Sequence, residues 1–163
     1  DGWLTETAGA STDFDVIERD VLESHAISPF YQVAYDQHNA HQISSHLSDQ
    51  GILMVDVAMR WQFLSPAMKW IEVLLMDGRL HHNGDPVLAW CMGNVVVKPD
   101  NNGNIFPRKD SPVKKIDAAL ALIVAASRAM HFDNPSVFDL VAGADDSAAM
   151  DDYLKDFVRV SRR

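Results

Sequence analysis

The spacing of apolar residues divides the first half of the chain into alternating helices and strands. Phe14, Ile17 and Val21 recur at helical spacing, whereas Ile52–Val57 is the nearly continuous apolar run of a buried parallel strand. The predicted elements are, in order, a helix over residues 13–25, a strand over 30–35, a helix over 40–50 that ends at Gly51, and a strand over 52–57.

The second half predicts three helices and one hairpin. Ser65 as N-cap and Pro66 at the first helical position predict a helix that ends at Gly78. The other predicted elements are a short helix over residues 86–92, a hairpin of strands 95–98 and 105–107 around the Asn-Gly turn of 100–104, and a helix over 113–130. This order indicates an α/β domain with a mixed sheet and flanking helices.

Composition and charge exclude several classes of protein. The chain has 163 residues, which favours one domain, and 14 basic against 23 acidic residues give a net charge of −9. A general nucleic-acid coat is therefore excluded, and contact with DNA requires a local basic patch or metal ions. Cys91 is the single cysteine, which excludes an internal disulfide and a cysteine zinc cage. The sequence has no apolar run of about 20 residues that could span a bilayer.

Asp36 directly follows the first predicted strand of the α/β alternation. Ligands of open α/β sheets bind beyond the carboxyl ends of the strands, so a carboxylate at this position is a candidate site residue. The alternative is an N-cap for the helix that begins near Asn39 or Ala40.

Asp117 lies in the first turn of the long predicted helix. An acid in that position ordinarily complements the helix dipole. Brought next to Asp36, it would instead complete an oxygen-rich pair of the kind that Mg²⁺ or Mn²⁺ prefers.

Other residue types give weaker candidates. His38, His41 and His46 are close in sequence, and His81 is followed by His82, but no metalloprotease spacing occurs, and surface or capping roles are favoured. Cys91 among apolar neighbours indicates a buried thiol, and no glycine-rich phosphate loop is present.

One stretch is basic despite the acidic total. Its members are Lys98, Arg108, Lys109, Lys114 and Lys115. Such a patch beside metal-binding carboxylates would position a phosphate backbone, and a solvated loop is the alternative.

These residues occur in an order that resembles the C-terminal nuclease domain of tailed-phage terminase large subunits. The matching segments are Trp3-Leu4-Thr5, Asp13-Phe14-Asp15-Val16-Ile17, Ala34-Tyr35-Asp36-Gln37-His38-Asn39-Ala40, Leu64-Ser65-Pro66-Ala67-Met68-Lys69, residues 78–90, Asn94-Val95, Pro107-Arg108-Lys109 and Lys115-Ile116-Asp117-Ala118-Ala119. His82 and Asn94 also match recurring positions, without an assigned chemistry. The resemblance covers about residues 3–130.

The resemblance implies an RNase H-like fold and a metal-dependent endonuclease that cuts concatemeric double-stranded phage DNA. Asp36 matches the later-strand acid of the family and Asp117 the helix acid, which together would hold two Mg²⁺ or Mn²⁺ ions. Lys109, Lys114 and Lys115 would contact the DNA backbone. The implied partners are the terminase ATPase domain, the small terminase subunit and the portal, in the host bacterial cytoplasm and without a membrane.

The sequence departs from the family pattern at its beginning. The first catalytic Asp of the family lies on an opening strand that precedes the Trp3 segment. We therefore expect residues 1–131 to form a partial nuclease domain that lacks its first strand or strands, followed by an acidic tail over 132–163 with short helices. The unpaired sheet edge would favour a homo-oligomer.

Two other functions are compatible with these residues. A non-catalytic packaging or assembly module would keep the fold for docking, with both acids as helix caps. An unrelated RNase H-like resolvase or integrase would need the same acids and would act on branched DNA.

Overall fold

The structure is a computed structural model that describes residues 2–9, 11–38 and 40–130. The predicted acidic tail of residues 132–163 lies outside these ranges. The elements are α1 (Phe14–Ile27), β1 (Val33–Tyr35), α2 (His41–Asp49), β2 (Met54–Asp56), α3 (Trp61–Met76), α4 (Pro86–Gly93), β3 (Val95–Val97), β4 (Pro107–Lys109) and α5 (Asp117–Ala129).

Local sequence signals account for three of these helix ends. Asp13 caps α1 by accepting from the backbone N–H groups of Asp15 and Val16. Asp85 caps α4 in the same way, with Pro86 at the first helical position. Gly78 follows α3 with φ of +65°, a conformation that glycine adopts without strain.

The start of α3 differs from the prediction. The helix begins at Trp61 with Arg60 as N-cap, so Ser65 and Pro66 lie inside it. Leu64, in the helical turn before Ser65, is fully buried and belongs to the core cluster. Ser65 is itself buried, and its hydroxyl accepts from the Ile105 N–H at 3.1 Å. Core packing therefore overrides the capping signal of the Ser-Pro pair.

The strands confirm the α/β class but form two small sheets. β1 and β2 pair in parallel, with Tyr35 opposite Asp56, while β3 and β4 pair antiparallel. The single mixed sheet of the prediction is not formed by the described residues, because each strand there has one partner only. Among the described residues, β1 and β2 each have an unpaired edge. The absence of the first strand or strands and an oligomer through the resulting edge stay predictions.

The predicted hairpin is confirmed, with its second strand shifted. Strand β4 is Pro107–Lys109 instead of residues 105–107. The Ile105 N–H is bonded to Ser65 of α3 and is not available to the strand ladder, which explains the shift. The turn closes around Asp100, whose carboxylate accepts from the backbone of Asn102 and from the backbone and side chain of Asn104.

The core lies where α3 and α5 pack against each other and against one face of the β1–β2 sheet. Its buried side chains are Val57, Leu64, Ala67, Ile71, Ile123, Val124 and Ala126. In contrast, α1 buries no side chain and contacts mainly α2. None of the described helices combines the length and the apolar composition that crossing a membrane requires.

The position of Ser65 inside α3 predicts the effect of Ser65→Asn. Asparagine is as good an N-cap as serine, so a capping Ser65 would tolerate the change. At the buried position the larger side chain should cost about 2 kcal/mol or more in the free energy of unfolding. Urea unfolding measures the difference, with Ser48→Asn on the exposed side of α2 as the control. Equal stability of the two variants would contradict the buried position.

The Asp100 turn predicts a local dependence on pH. The Asn104 side chain, together with the Asn104 and Asn102 N–H groups, lowers the pKa of Asp100 below its ordinary value. The charged form therefore stabilises the turn above about pH 4, and this stabilisation is lost as the pH falls through the lowered pKa. Exchange of the Asn102 and Asn104 amide protons, corrected for intrinsic rates, should accelerate in that range. Asp100→Asn should abolish the dependence, and a variant that keeps it would refute the assignment.

Candidate functional site

Asp36 lies just beyond the carboxyl end of β1 and is exposed. Its Oδ1 accepts from the His38 N–H at 3.2 Å, which forms a local turn. The next helix has Ala40 as its N-cap and no side-chain capping bond. The capping alternative for Asp36 is therefore wrong, and its carboxylate remains open to solvent.

The pleat of the β1–β2 sheet indicates which face Asp36 occupies. Ala34 packs against the core cluster that includes α5, and Val57, which follows β2, belongs to that cluster. Side chains two residues apart lie on one face of a strand. Continued for two residues from Ala34, this alternation puts Asp36 on the same face as α5.

Asp117 is the first residue of α5 and is exposed. The helix has Ile116 as its N-cap without a side-chain capping bond, and no hydrogen bond or ion pair joins the Asp117 carboxylate to another described residue. Asp117 lines a groove of about 530 Å³ with Lys115, Trp90 and apolar side chains of α4.

The relative direction of β1 and α5 bears on whether the two acids meet. The two elements pack against each other. Arg128, near the end of α5, lies beside Gln32, just before β1, with 3.4 Å between Arg128 Nη2 and Gln32 Oε1. Asp36 and Asp117 thus both lie at the ends of their elements that are remote from this contact.

The donor chemistry of the two acids fits a hard divalent ion in part. Exposed carboxylates without a basic partner are the oxygen ligands that Mg²⁺ and Mn²⁺ prefer. However, the described part of the chain has no group of three or more His, Cys, Asp or Glu side chains that could hold a metal. The pair is therefore an incomplete ligand set.

A further acid, Asp56, ends β2 at the same edge of the sheet and was not among the predicted site residues. The signal in the sequence was the same as for Asp36, an acid at the end of an apolar strand. Asp56 is exposed and opposite Tyr35 in the register. Since paired residues share a face, Asp56 lies on the face opposite to Asp36 and α5.

The predicted basic patch divides into compensated and uncompensated charges. Lys114 Nζ lies 2.9 Å from Asp110 Oδ2, so this lysine already has an acidic partner. Arg108 and Lys109 are exposed on β4, and Lys115 is exposed just before α5. None of these three forms an ion pair with an acid in the described ranges.

Two of the candidate histidines make local hydrogen bonds or ion pairs, and the cysteine is buried. His46 Nδ1 lies 3.1 Å from Glu18 Oε2, which joins α2 to α1. His82 Nδ1 accepts from the Gly84 N–H. Cys91 is buried in α4, as predicted for an inert thiol.

Comparison with known proteins identifies the family to which the chain is similar. Residues 1–133 match the family described as terminase large subunit, endonuclease domain. The chain is 37% identical over 134 residues to protein YmfN of Escherichia coli strain K12, covering 81% of this chain and 30% of YmfN. It is 28% identical over 131 residues to the terminase large subunit of Enterobacteria phage HK97, covering 79% of this chain and 26% of that protein. The chain thus spans less than a third of these relatives.

Solved structures show the same similarity. The crystal structure of the HK97 bacteriophage large terminase matches with a TM-score of 0.69 and 27% identity, over 78% of this chain and 27% of that one. The large terminase nuclease from thermophilic phage G20c shares the fold, with a TM-score of 0.58 and 15% identity over 72% and 63% of the two chains. The resemblance seen in the sequence is confirmed, and the chain belongs to the terminase large subunit endonuclease-domain family.

Proposed function

We propose that this chain is the metal-dependent endonuclease domain of a phage DNA-packaging terminase, which cuts concatemeric double-stranded DNA. The observation that carries the proposal is the placement of Asp36 and Asp117 on β1 and α5, two elements that pack together, in a chain of this family. Neither carboxylate forms an ion pair with a basic side chain among the described residues.

Asp36 and Asp117 are the residues that would hold the divalent ions, Mg²⁺ or Mn²⁺. The chemistry that such ions would supply is activation of a water and stabilisation of the leaving oxygen of a phosphodiester. The protein's own part is to keep both carboxylates exposed at one end of the β1–α5 unit. The RNase H-like architecture with two ions belongs to the same proposal.

DNA would approach along the exposed basic side chains of β4 and of the segment before α5. A chain with net charge −9 repels the phosphate backbone over most of its surface, so attraction must be local. Lys115 supplies uncompensated charge at the groove that contains Asp117, and Arg108 and Lys109 supply it on β4. Lys114 contributes less because Asp110 compensates it.

The family also suggests the setting of this activity. In the complete protein the partners would be the terminase ATPase domain, the small terminase subunit and the portal, in the cytoplasm of the bacterial host. The family match leaves the resolvase or integrase alternative without support.

A second candidate function is a non-catalytic packaging or assembly module that keeps the fold for docking. The observation in its favour is that Asp36 and Asp117 are not joined by a third ligand in the described ranges. Folding without cleavage or metal binding would support this function.

Plasmid nicking in Mn²⁺ and in Mg²⁺ tests whether Asp36 and Asp117 hold the ions. Asp36→Asn and Asp117→Asn keep the side-chain shape but remove the charge that holds the ions. Each should reduce nicking by at least about 100-fold, because even supporting partners of a metal ligand cost up to that factor. Thermal unfolding of each variant should remain close to that of the unchanged chain, since both residues are exposed.

Asp56→Asn is the matched control, because it removes a carboxylate from the same edge but the opposite face of the sheet. It should leave nicking within about twofold, as a surface change away from the site. Nicking that survives both Asp36→Asn and Asp117→Asn would refute the site. A folded chain that neither nicks DNA nor binds Mn²⁺ would refute the nuclease function and favour the assembly module.

The proposed DNA contacts predict a salt dependence of binding to a linear duplex. This dependence is measured by fluorescence anisotropy in Ca²⁺, which prevents cleavage. Lys109→Gln and Lys115→Gln should each lower the slope of log affinity against log salt by about 1, because each phosphate contact releases about one counterion. Lys114→Gln should change the slope less, since Asp110 already compensates this charge.

Arg79→Gln, an exposed basic residue after α3, is the control and should leave the slope unchanged. Equal effects of Arg79→Gln and Lys115→Gln would show that only the total charge matters. That result would contradict a DNA contact through β4 and the segment before α5.

A further inference from the structure

Asn94 is a buried polar residue that joins two distant parts of the chain. It ends α4 as its C-cap, and only 6% of its surface is exposed. Its Nδ2 donates to the backbone carbonyl oxygen of Lys115 at 2.9 Å, across 21 positions of sequence. The bond therefore ties the end of α4 to the segment that leads into α5.

The first turn of α5 packs against α4, but this segment has few other hydrogen bonds among the described residues. Ile116, the N-cap of α5, offers no side chain to the free N–H groups of the first turn. The first backbone bond of the helix is that of the Leu120 N–H to the Ile116 carbonyl, at 2.8 Å. Upstream, the Lys114 N–H donates to the Ser111 carbonyl, and the Lys114 side chain pairs with Asp110 on the surface.

Lys115 lies two residues before Asp117, so the backbone that links its carbonyl to the Asp117 Cα reaches at most about 7 Å. A constraint on this carbonyl is thereby a constraint on where the first turn of α5 begins. A part-buried bond from the buried Asn94 amide competes less with water than the exposed Lys114–Asp110 pair does, so it holds position better.

We infer that Asn94 is a positioning residue, whose bond to Lys115 fixes the start of α5 and with it the Asp117 carboxylate. The inference rests on the proposed function in that Asp117 is taken as a metal ligand. Asn94 acts through the backbone before α5 and contacts neither the ion nor the DNA. Its role explains why an amide is present at a buried helix end where an apolar residue would avoid the cost of burying a polar group.

The hydrogen bond from Asn94 to Lys115 is tested by variants that remove its donor. Asn94→Asp keeps the shape but places a carboxylate oxygen against the Lys115 carbonyl, so the donor is lost and repulsion is added. Asn94→Ala removes the donor without adding charge. Asn101→Asp is the matched control, because it makes the same chemical change at an exposed residue of the hairpin turn.

The test uses the 163-residue chain and two measurements well below the unfolding temperature of every variant. The first is hydrogen exchange of the Leu120 amide, with the Ile71 amide in the middle of α3 as an internal reference. The second is the affinity for Mn²⁺ alone, by isothermal titration calorimetry. Asn94→Asp and Asn94→Ala should accelerate Leu120 exchange about tenfold and weaken Mn²⁺ binding about tenfold, the equivalent of one hydrogen bond.

Asn101→Asp should change neither quantity. Faster exchange in the Asn94 variants with unchanged Mn²⁺ affinity would overturn the inference, since the bond would then be merely structural. Unchanged exchange in both variants would overturn it directly. If the unchanged chain binds no Mn²⁺, the proposed function fails, and Leu120 exchange alone decides whether Asn94 fixes the start of α5.

Discussion

The packing of α3 against α5 is the contact on which the rest of the structure depends. Leu64, Ala67 and Ile71 of one helix meet Ile123 and Val124 of the other, with the sheet formed by β1 and β2 beneath them. The strands have three residues each and a single partner, which is too little to be stable alone. Without this helix pair, neither β1 nor α5 would have a defined position.

The candidate site is a consequence of that packing and of a few polar bonds around it. Ala34 and Val57 face the helix pair, so the alternation of the strand carries Asp36 to the same side. Two bonds made by buried side chains extend the order beyond the core, one between Ser65 and the hairpin and one between Asn94 and the entry of α5. Buried polar groups with partners specify geometry as well as stability.

Charge has a different role, because it acts at the surface. The acidic total makes the uncompensated bases of β4 and of Lys115 significant, since they interrupt a surface that otherwise repels DNA. The Lys114–Asp110 pair shows that a basic run in sequence is not one uniform patch in space.

The sequence by itself determined the order of the helices and the hairpin, because caps, glycine stops and apolar spacing are local signals. It also indicated the family, while the metal-binding role of Asp36 and Asp117 stays a prediction. It did not determine the start of α3, where burial of Leu64 outweighs the Ser65-Pro66 signal, or the register of β4, where Ser65 captures the Ile105 N–H. The faces of Asp36 and Asp56 and the bond of Asn94 were likewise decided by tertiary structure. Each depends on a contact between residues that belong to different elements or segments of the chain.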